Sequence, residues 1–156
     1  MIQFVGDQLG EDGSKLRSYF CCLYRGGDLP PLPWGDQLFD CVLVSIDSDA
    51  ARRLADPFSD AIVRRVVDYV QTTGVHAELL HDFVDEASVG AGVQAAVGDG
   101  HPMTTWHEDA LSLDEMCEVA AHCLGGADQV LCVVVGTEHD QQAFVDRLRD
   151  RLAERS

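Results

Sequence analysis

Two short, almost wholly apolar runs constrain the fold of this chain more than any other feature. They are residues 39–46 (FDCVLVSI) and 129–135 (QVLCVVV), both rich in β-branched side chains. Each run has the length of a strand, and apolar side chains at consecutive positions are expected where both faces of a strand are covered. The pattern therefore predicts two central strands in a sheet that lies between layers of helices.

Helical patterns alternate with strand-like runs around these two segments. The further predicted strands cover residues 75–83 and 103–106. The predicted helices cover residues 57–72, 86–97 and 112–124, and a last one begins near Thr137. The helix over 57–72 is based on apolar residues that recur every four positions from Phe58. The helix over 112–124 has the clearest start, because Ser112 and Glu115 form an S-x-x-E capping box.

This order gives four strand-then-helix units joined by short loops. It predicts an α/β fold with a mainly parallel sheet of about four or five strands, helices on both faces and right-handed crossovers. The 156 residues have the usual size of a single domain. Residues 1–25 are an N-terminal element that could be a strand or a short helix. Residues 26–37 are a Pro/Gly-rich connector, with Leu32 and Trp34 as its expected anchors.

The charge of the chain is strongly negative. There are 27 Asp and Glu residues against 11 Lys and Arg, a formal net charge of -16, and no Lys or Arg occurs between Arg65 and Arg147. Such a surface repels phosphate backbones and anionic lipids, so we expect neither a nucleic-acid partner nor a membrane partner. A basic protein partner and adaptation to a cation-rich solvent are both compatible with this charge.

The cysteines predict reduced thiols rather than a disulfide framework. The N-terminus lacks a basic region and a long apolar run, and no segment approaches the roughly 20 apolar residues of a membrane span. We therefore expect a cytoplasmic protein with free thiols. No C-x-x-C pair is present, so a structural zinc site is not expected, and no cofactor is predicted. The six cysteines are at positions 21, 22, 41, 117, 123 and 132.

Ligands of open α/β sheets bind outside the carboxyl ends of the strands. Those ends are predicted just after Ile46, Phe83, Trp106 and Val135. At the first of them, Asp47 and Asp49 form a D-x-D that resembles the opening of haloacid-dehalogenase-type phosphotransferases. That family continues with Gly and Thr where this chain has Ala50 and Ala51, so a phosphate-contacting hydroxyl is missing. The simpler interpretation is that Asp47 or Ser48 caps the next segment.

Residues 90–95 (GAGVQA) match the G-x-G-x-x-A pattern and follow a predicted strand, with Glu108 and Asp109 about twenty residues further on. This resembles a dinucleotide-binding fingerprint. However, six residues separate the strand end from Gly90, and Asp85 would repel a pyrophosphate. The preferred interpretation is an ordinary, glycine-weakened helix.

Residues 103–109 (MTTWHED) hold the densest mixture of aromatic and ionisable side chains. With His101 nearby, His107, Glu108 and Asp109 could bind a metal or perform acid–base chemistry. The enzyme hypothesis is thus a metal-assisted hydrolase or phosphotransferase assembled at the strand ends. Its residues would be Asp47, Asp49, His107 and Asp109.

The same heptapeptide, followed by a capped helix containing Ala121, His122 and Cys123, resembles a group of small uncharacterised bacterial proteins that share a domain of unknown function. The resemblance includes the LPPLPWGD connector and the strand after it, and so spans residues 29–124. It implies a bacterial origin and a shared α/β domain. It implies no activity.

The leading hypothesis is a non-enzymatic, cytoplasmic module whose carboxylate-rich face docks on a basic protein. An immunity-type or antitoxin-like inhibitor is one concrete version, because electrostatic steering would speed the capture of a harmful partner. The residues expected to bind are Trp106, His107, Glu108, Asp109, Asp114, Glu115 and Glu118.

Overall fold

The computed structural model of the chain describes residues 1–9, 15–90 and 103–154. Within these ranges the strands are β1 (Gln3–Leu9), β2 (Leu16–Leu23), β3 (Phe39–Ser45), β4 (Val67–Gly74), β5 (Met103–His107) and β6 (Gln129–Val135). The helices are α1 (Ser48–Ile62), α2 (Ala77–Gly90), α3 (Leu113–Ala121) and α4 (Glu138–Glu154). None of these helices has both the length and the apolar character needed to cross a membrane.

The strands form one sheet in the order β1-β2-β6-β3-β4-β5. Every neighbouring pair is parallel except β1 with β2. The α/β class and the mainly parallel sheet are confirmed, but the described residues hold six strands rather than four or five. The difference arises in residues 1–25, which contribute β1 and β2 instead of a single element.

The two central strands are covered on both faces, as their apolar runs predict. Along β3, Cys41 and Leu43 join a core that contains residues of α1 and α2, while Val42 and Val44 join a core with residues of α3 and α4. All seven residues of β3 are buried. Successive side chains of a strand point to opposite faces, so one continuous apolar run supplies both cores. Helices therefore lie on both faces of the sheet.

The predicted helix over 57–72 is wrong. The chain forms α1 earlier, at Ser48–Ile62, and then β4 at Val67–Gly74. Asp47 is the N-cap of α1, where its side chain accepts a hydrogen bond from the Asp49 amide, and Pro57 lies inside the helix rather than at its start. The four-residue apolar repeat from Phe58 continues by coincidence into a β-branched run that pairs with β3.

The predicted strand over 75–83 is also wrong, because these residues begin α2, which buries Leu80 and Val84 against the core of α1. Only residues 86–90 of the predicted helix over 86–97 are described, and these residues form the last part of α2. The rest of that helix and of the G-x-G-x-x-A segment lies outside the described residues, as does His101.

The remaining predictions of local structure agree with the fold. β5 and β6 occupy the predicted strands, and the capping box of Ser112 and Glu115 starts α3. Residues 26–37 form neither helix nor strand. The connector is anchored by Trp34, whose ring centroid lies 5.0 Å from that of Phe20 and 5.4 Å from that of Phe39, and Leu32 packs against the same core.

A close approach between β3 and β4 fixes the relative position of their carboxyl ends. Gly74, the last residue of β4, has φ +97° and lies so near β3 that a Cβ atom would be 2.0 Å from the Ser45 carbonyl oxygen. Only glycine fits both the conformation and the space. The loops that follow β3 and β4 are therefore held side by side.

We expect Gly74→Ala to lower the free energy of unfolding by about 3 kcal/mol or more, because the methyl group meets a backbone oxygen and the φ angle is strained. Gly27→Ala is the matched control, since Gly27 also has a positive φ (+73°) but open space around it. It should cost only about 1 kcal/mol. Urea denaturation of both variants measures the difference, and equal costs would contradict the close approach.

A buried ion pair ties together the opposite end of the sheet. The Arg17 guanidinium binds the carboxylate of Asp40, which is fully buried and also accepts from the Ala127 amide at 3.1 Å. Desolvation outweighs these interactions and raises the pKa of Asp40 from 3.8 to about 6. The folded protein thus holds this proton more tightly than the unfolded chain does. The contribution of this tighter proton binding to the free energy of unfolding is fully present below pH 3.8 and is lost as the pH rises through about 6.

We expect Asp40→Asn to remove this titration while retaining an acceptor for Arg17. The free energy of unfolding of the native protein, relative to that of the variant, should fall as the pH rises from about 4 to about 6. Urea denaturation at several pH values measures this difference. A difference that rises with pH would show that the attraction of Arg17 dominates over desolvation, contrary to this account.

Candidate functional site

The carboxyl ends of five parallel strands share one edge of the sheet. This edge carries Asp47 after β3, His76 after β4, Glu108 after β5 and Thr137 after β6. The carboxyl ends of strands that were expected just after residues 46, 106 and 135 agree with the ends of β3, β5 and β6 to within one residue. The end predicted after Phe83 is wrong, because Phe83 lies in α2 and β4 ends at Gly74.

The structure does not bring together the four residues of the enzyme hypothesis. Asp47 and Asp49 are exposed at the start of α1, whereas His107 and Asp109 lie at the end of β5. β4 separates the two pairs, which places them about two strand spacings, or about 10 Å, apart. Among the described residues no three His, Cys, Asp or Glu side chains are placed to hold a metal ion.

His107 is engaged inside the protein. Its Nε2 lies 3.2 Å from the side-chain nitrogen of Gln71, and the Gln71 carbonyl oxygen accepts from the Leu124 amide at 2.9 Å. Because the side-chain nitrogen of Gln71 can only donate, His107 Nε2 accepts this hydrogen bond. His107 therefore ties β5 to β4 and to the segment after α3.

The three predicted carboxylates of α3 also have partners. Asp114 pairs with Arg147 at 2.9 Å, and Glu118 pairs with Arg151 at 2.7 Å, both arginines being on α4. The Glu115 side chain accepts from the Ser112 amide as part of the capping box. Two of the three carboxylates in this part of the predicted docking face are therefore paired with arginines.

Trp106 has a different environment, on the face of the sheet that α2 covers. It is 47% exposed, and its ring centroid lies 4.5 Å from that of His81 on α2. His81 Nδ1 is 3.2 Å from an Asp82 oxygen, and its Nε2 is 3.4 Å from an Asp85 oxygen. The exposed Trp106 ring thus lies against an imidazole that has a half-exposed carboxylate beside each of its nitrogens.

Two more carboxylates, Glu108 and Asp109, are exposed just beyond the end of β5, and neither forms an ion pair within the described part of the chain. We name the combined feature the acidic edge surface. It consists of Asp82, Asp85, Trp106, Glu108 and Asp109.

The contribution of α2 to this surface was missed because residues 75–83 were assigned to a strand. The spacing of the acidic residues nevertheless indicates a helix. Glu78, Asp82 and Glu86 recur every four residues, which is typical of the exposed face of a helix. No Lys or Arg interrupts them on α2.

The thiols do not provide a reactive site. All six cysteines are free and buried. Burial raises the pKa of the Cys22 and Cys117 thiols to about 12 and that of Cys123 to about 11. A thiol with so high a pKa carries almost no thiolate at neutral pH, so these side chains act as small apolar residues of the core.

A family model described as a domain of unknown function (DUF7684) matches residues 18–152, so the chain belongs to this family. Comparisons with curated proteins and with solved structures give no significant match.

We expect the acidic edge surface to concentrate cations around Trp106. Trp34, the other of the two tryptophans, is buried and its indole N–H has no partner among the described residues, so Trp34→Phe leaves Trp106 as the sole tryptophan for selective excitation. The ratio of caesium to iodide quenching should exceed that of free N-acetyltryptophanamide, and Asp82→Asn/Asp85→Asn should reduce this ratio. A ratio below that of the free indole would contradict the local negative potential.

Proposed function

We propose that this protein is a binding module that captures a basic protein through its acidic edge surface. The observation on which this proposal depends is the half-exposed Trp106 ring, which lies against the His81 imidazole. That imidazole has the carboxylates of Asp82 and Asp85 beside its two nitrogens. A Lys or Arg side chain fits such a site well, since an ammonium or guanidinium group can contact the ring face and a carboxylate at once.

The position of β5 supports the same proposal. In the described sheet β5 is a terminal strand that pairs only with β4, and Met103 and Trp106 are both exposed on it. A partner strand could add to such an edge through main-chain hydrogen bonds, with its basic side chains beside the acids of α2 and of residues 108 and 109. Main-chain pairing would supply affinity, and the charges would select the partner.

The net charge favours rapid capture of such a partner. A chain with a formal charge of -16 attracts a cationic protein from a distance, and the attraction weakens as salt rises. An immunity-type or antitoxin-like inhibitor of a basic enzyme is the version of this function that benefits most from a high association rate. The six free cysteines fit a reducing cytoplasm as its location.

The proposal is tested with a fluorescent ten-residue peptide of alternating Arg and Val, with affinity measured by anisotropy at about 50 and 200 mM NaCl. We expect saturable binding that weakens with salt. Asp82→Asn/Asp85→Asn and, separately, Trp106→Ala should each weaken binding at least about tenfold, equivalent to about 1.4 kcal/mol. The charged pair and the aromatic ring would then both contribute.

The matched control is Asp146→Asn/Asp150→Asn, which removes the same charge from exposed positions of α4, away from β5. It should change the affinity less than about twofold. An equal loss in both double variants would show that only the overall charge attracts the peptide, and would contradict a defined docking surface. Loss of folding at low salt, seen by circular dichroism, would instead favour halophilic adaptation of the surface.

A further inference from the structure

A hydroxyl–imidazole pair lies on the carboxyl edge of the sheet, apart from the acidic edge surface. The Ser48 hydroxyl oxygen is 2.7 Å from Nε2 of His76, and both residues are half-buried. Ser48 is the first residue of α1, directly after β3, and His76 lies in the turn between β4 and α2. The pair therefore sits where ligands of open α/β sheets bind.

The backbone is specifically arranged to bring the two side chains together. Gly74 allows β4 to end against Ser45, and two residues later His76 adopts φ +58°, the left-handed region. His76 is the only described residue other than glycine with a positive φ. Such a conformation costs about 1 kcal/mol and, when observed, is a reason to look for a functional role.

A comparison within the molecule distinguishes this pair from a merely structural contact. Thr104 Oγ1 lies 3.0 Å from His81 Nε2, but the Thr104 hydroxyl donates its proton to Asp85 at 2.6 Å, so this imidazole nitrogen must be the donor. Among the described residues the Ser48 hydroxyl has no carboxylate acceptor, and its proton is free to go to His76 Nε2. Of these two pairs, only Ser48 and His76 can have the polarity of a nucleophile and its base.

Backbone donors for a developing negative charge are also present beside Ser48. The Asp47 amide donates to the Val135 carbonyl, the Asp49 amide to the Asp47 side chain and the Ala51 amide to the Asp47 carbonyl. Within the described part of the chain, the amides of Ser48 and Ala50 remain for a ligand. First-turn amides of a helix suit the oxyanion of a tetrahedral intermediate.

We propose that Ser48 and His76 form a nucleophile–base pair that hydrolyses carboxylic esters of positively charged alcohols. Ser48 Oγ bonds to the carbonyl carbon as its proton passes to His76 Nε2, and the carbonyl π electrons move to the oxygen. Collapse breaks the bond to the alcohol, which leaves with the proton from Nε2. Water then attacks the acyl-Ser48, again giving its proton to Nε2, and the carboxylic acid departs as Ser48 recovers its proton.

The preference for a cationic ester follows from the flanking charges. Asp47 and Asp49 are exposed on either side of Ser48, and no Lys or Arg lies in the turn with His76. The exposed Arg52 and Arg53 of α1 lie about one helical turn further along the chain. Two carboxylates next to the nucleophile attract a quaternary ammonium group and repel phosphate or carboxylate esters. None of Trp106, Asp82 and Asp85 takes part in this chemistry, so its test is separate from that of the docking function.

The test uses the full chain with 4-(trimethylammonio)phenyl acetate and with neutral phenyl acetate, and follows release of the phenol. We expect kcat/KM for the cationic ester to exceed that for the neutral ester at least about tenfold. Asp47→Asn/Asp49→Asn should remove the preference while keeping the helix cap, since Asn caps as well as Asp. An aryl fluorophosphonate should label Ser48, as located by peptide mass spectrometry.

The variants separate catalysis from folding. Ser48→Ala should abolish labelling and hydrolysis. His76→Asn, which keeps a residue that tolerates positive φ, should lower both at least about 100-fold. Ser18→Ala is the control, because Ser18 is also half-buried and its hydroxyl binds Asp7 rather than a histidine. Absence of label at Ser48 in the folded native protein, or hydrolysis that persists in Ser48→Ala, would overturn the proposal.

Discussion

The complete burial of β3 and β6 is the constraint on which the rest of the structure depends. Every residue of β3 is buried, and six of the seven residues of β6 are buried as well. Because both faces of these strands are filled by apolar side chains, polar chemistry can be placed only at the ends and sides of the sheet. The two candidate sites accordingly lie at the carboxyl edge and beside the terminal strand β5.

The parts of the fold that could be predicted are those with one strong local signal. Continuous apolar runs identified β3 and β6, and the capping box identified α3. Residues 48–90 could not be placed correctly, because the four-residue repeat from Phe58 extends through a helix, a turn and part of a strand. α1 starts at Ser48 because Asp47 is its N-cap. The sequence alone allows either Asp47 or Ser48 as the capping residue.

The candidate site was predictable only in part, for a related reason. Trp106, Glu108 and Asp109 were found because they are contiguous in the sequence. His81, Asp85 and the pairing of Ser48 with His76 depend on tertiary contacts across 20 residues or more, which no local pattern specifies. Likewise, the sequence cannot show that Asp114 and Glu118 face arginines of α4, and so it overestimated the free charge on α3.

The acids of α3 and those around Trp106 thus differ in their neighbours. Those on α3 are balanced by α4, and such exposed pairs contribute little to stability. Those around Trp106 have histidine as their neighbour and keep a negative potential at the border of the sheet. The central claim is that this second group, rather than the total charge, determines what the protein contacts.

Amide chemical-shift mapping during titration with an arginine-rich peptide tests that claim most directly. We expect the shifted resonances to cluster in α2, in β5 and at the Trp106 indole, with α3 and α4 almost unchanged. Shifts spread evenly over all acidic segments, or concentrated on α4, would contradict it.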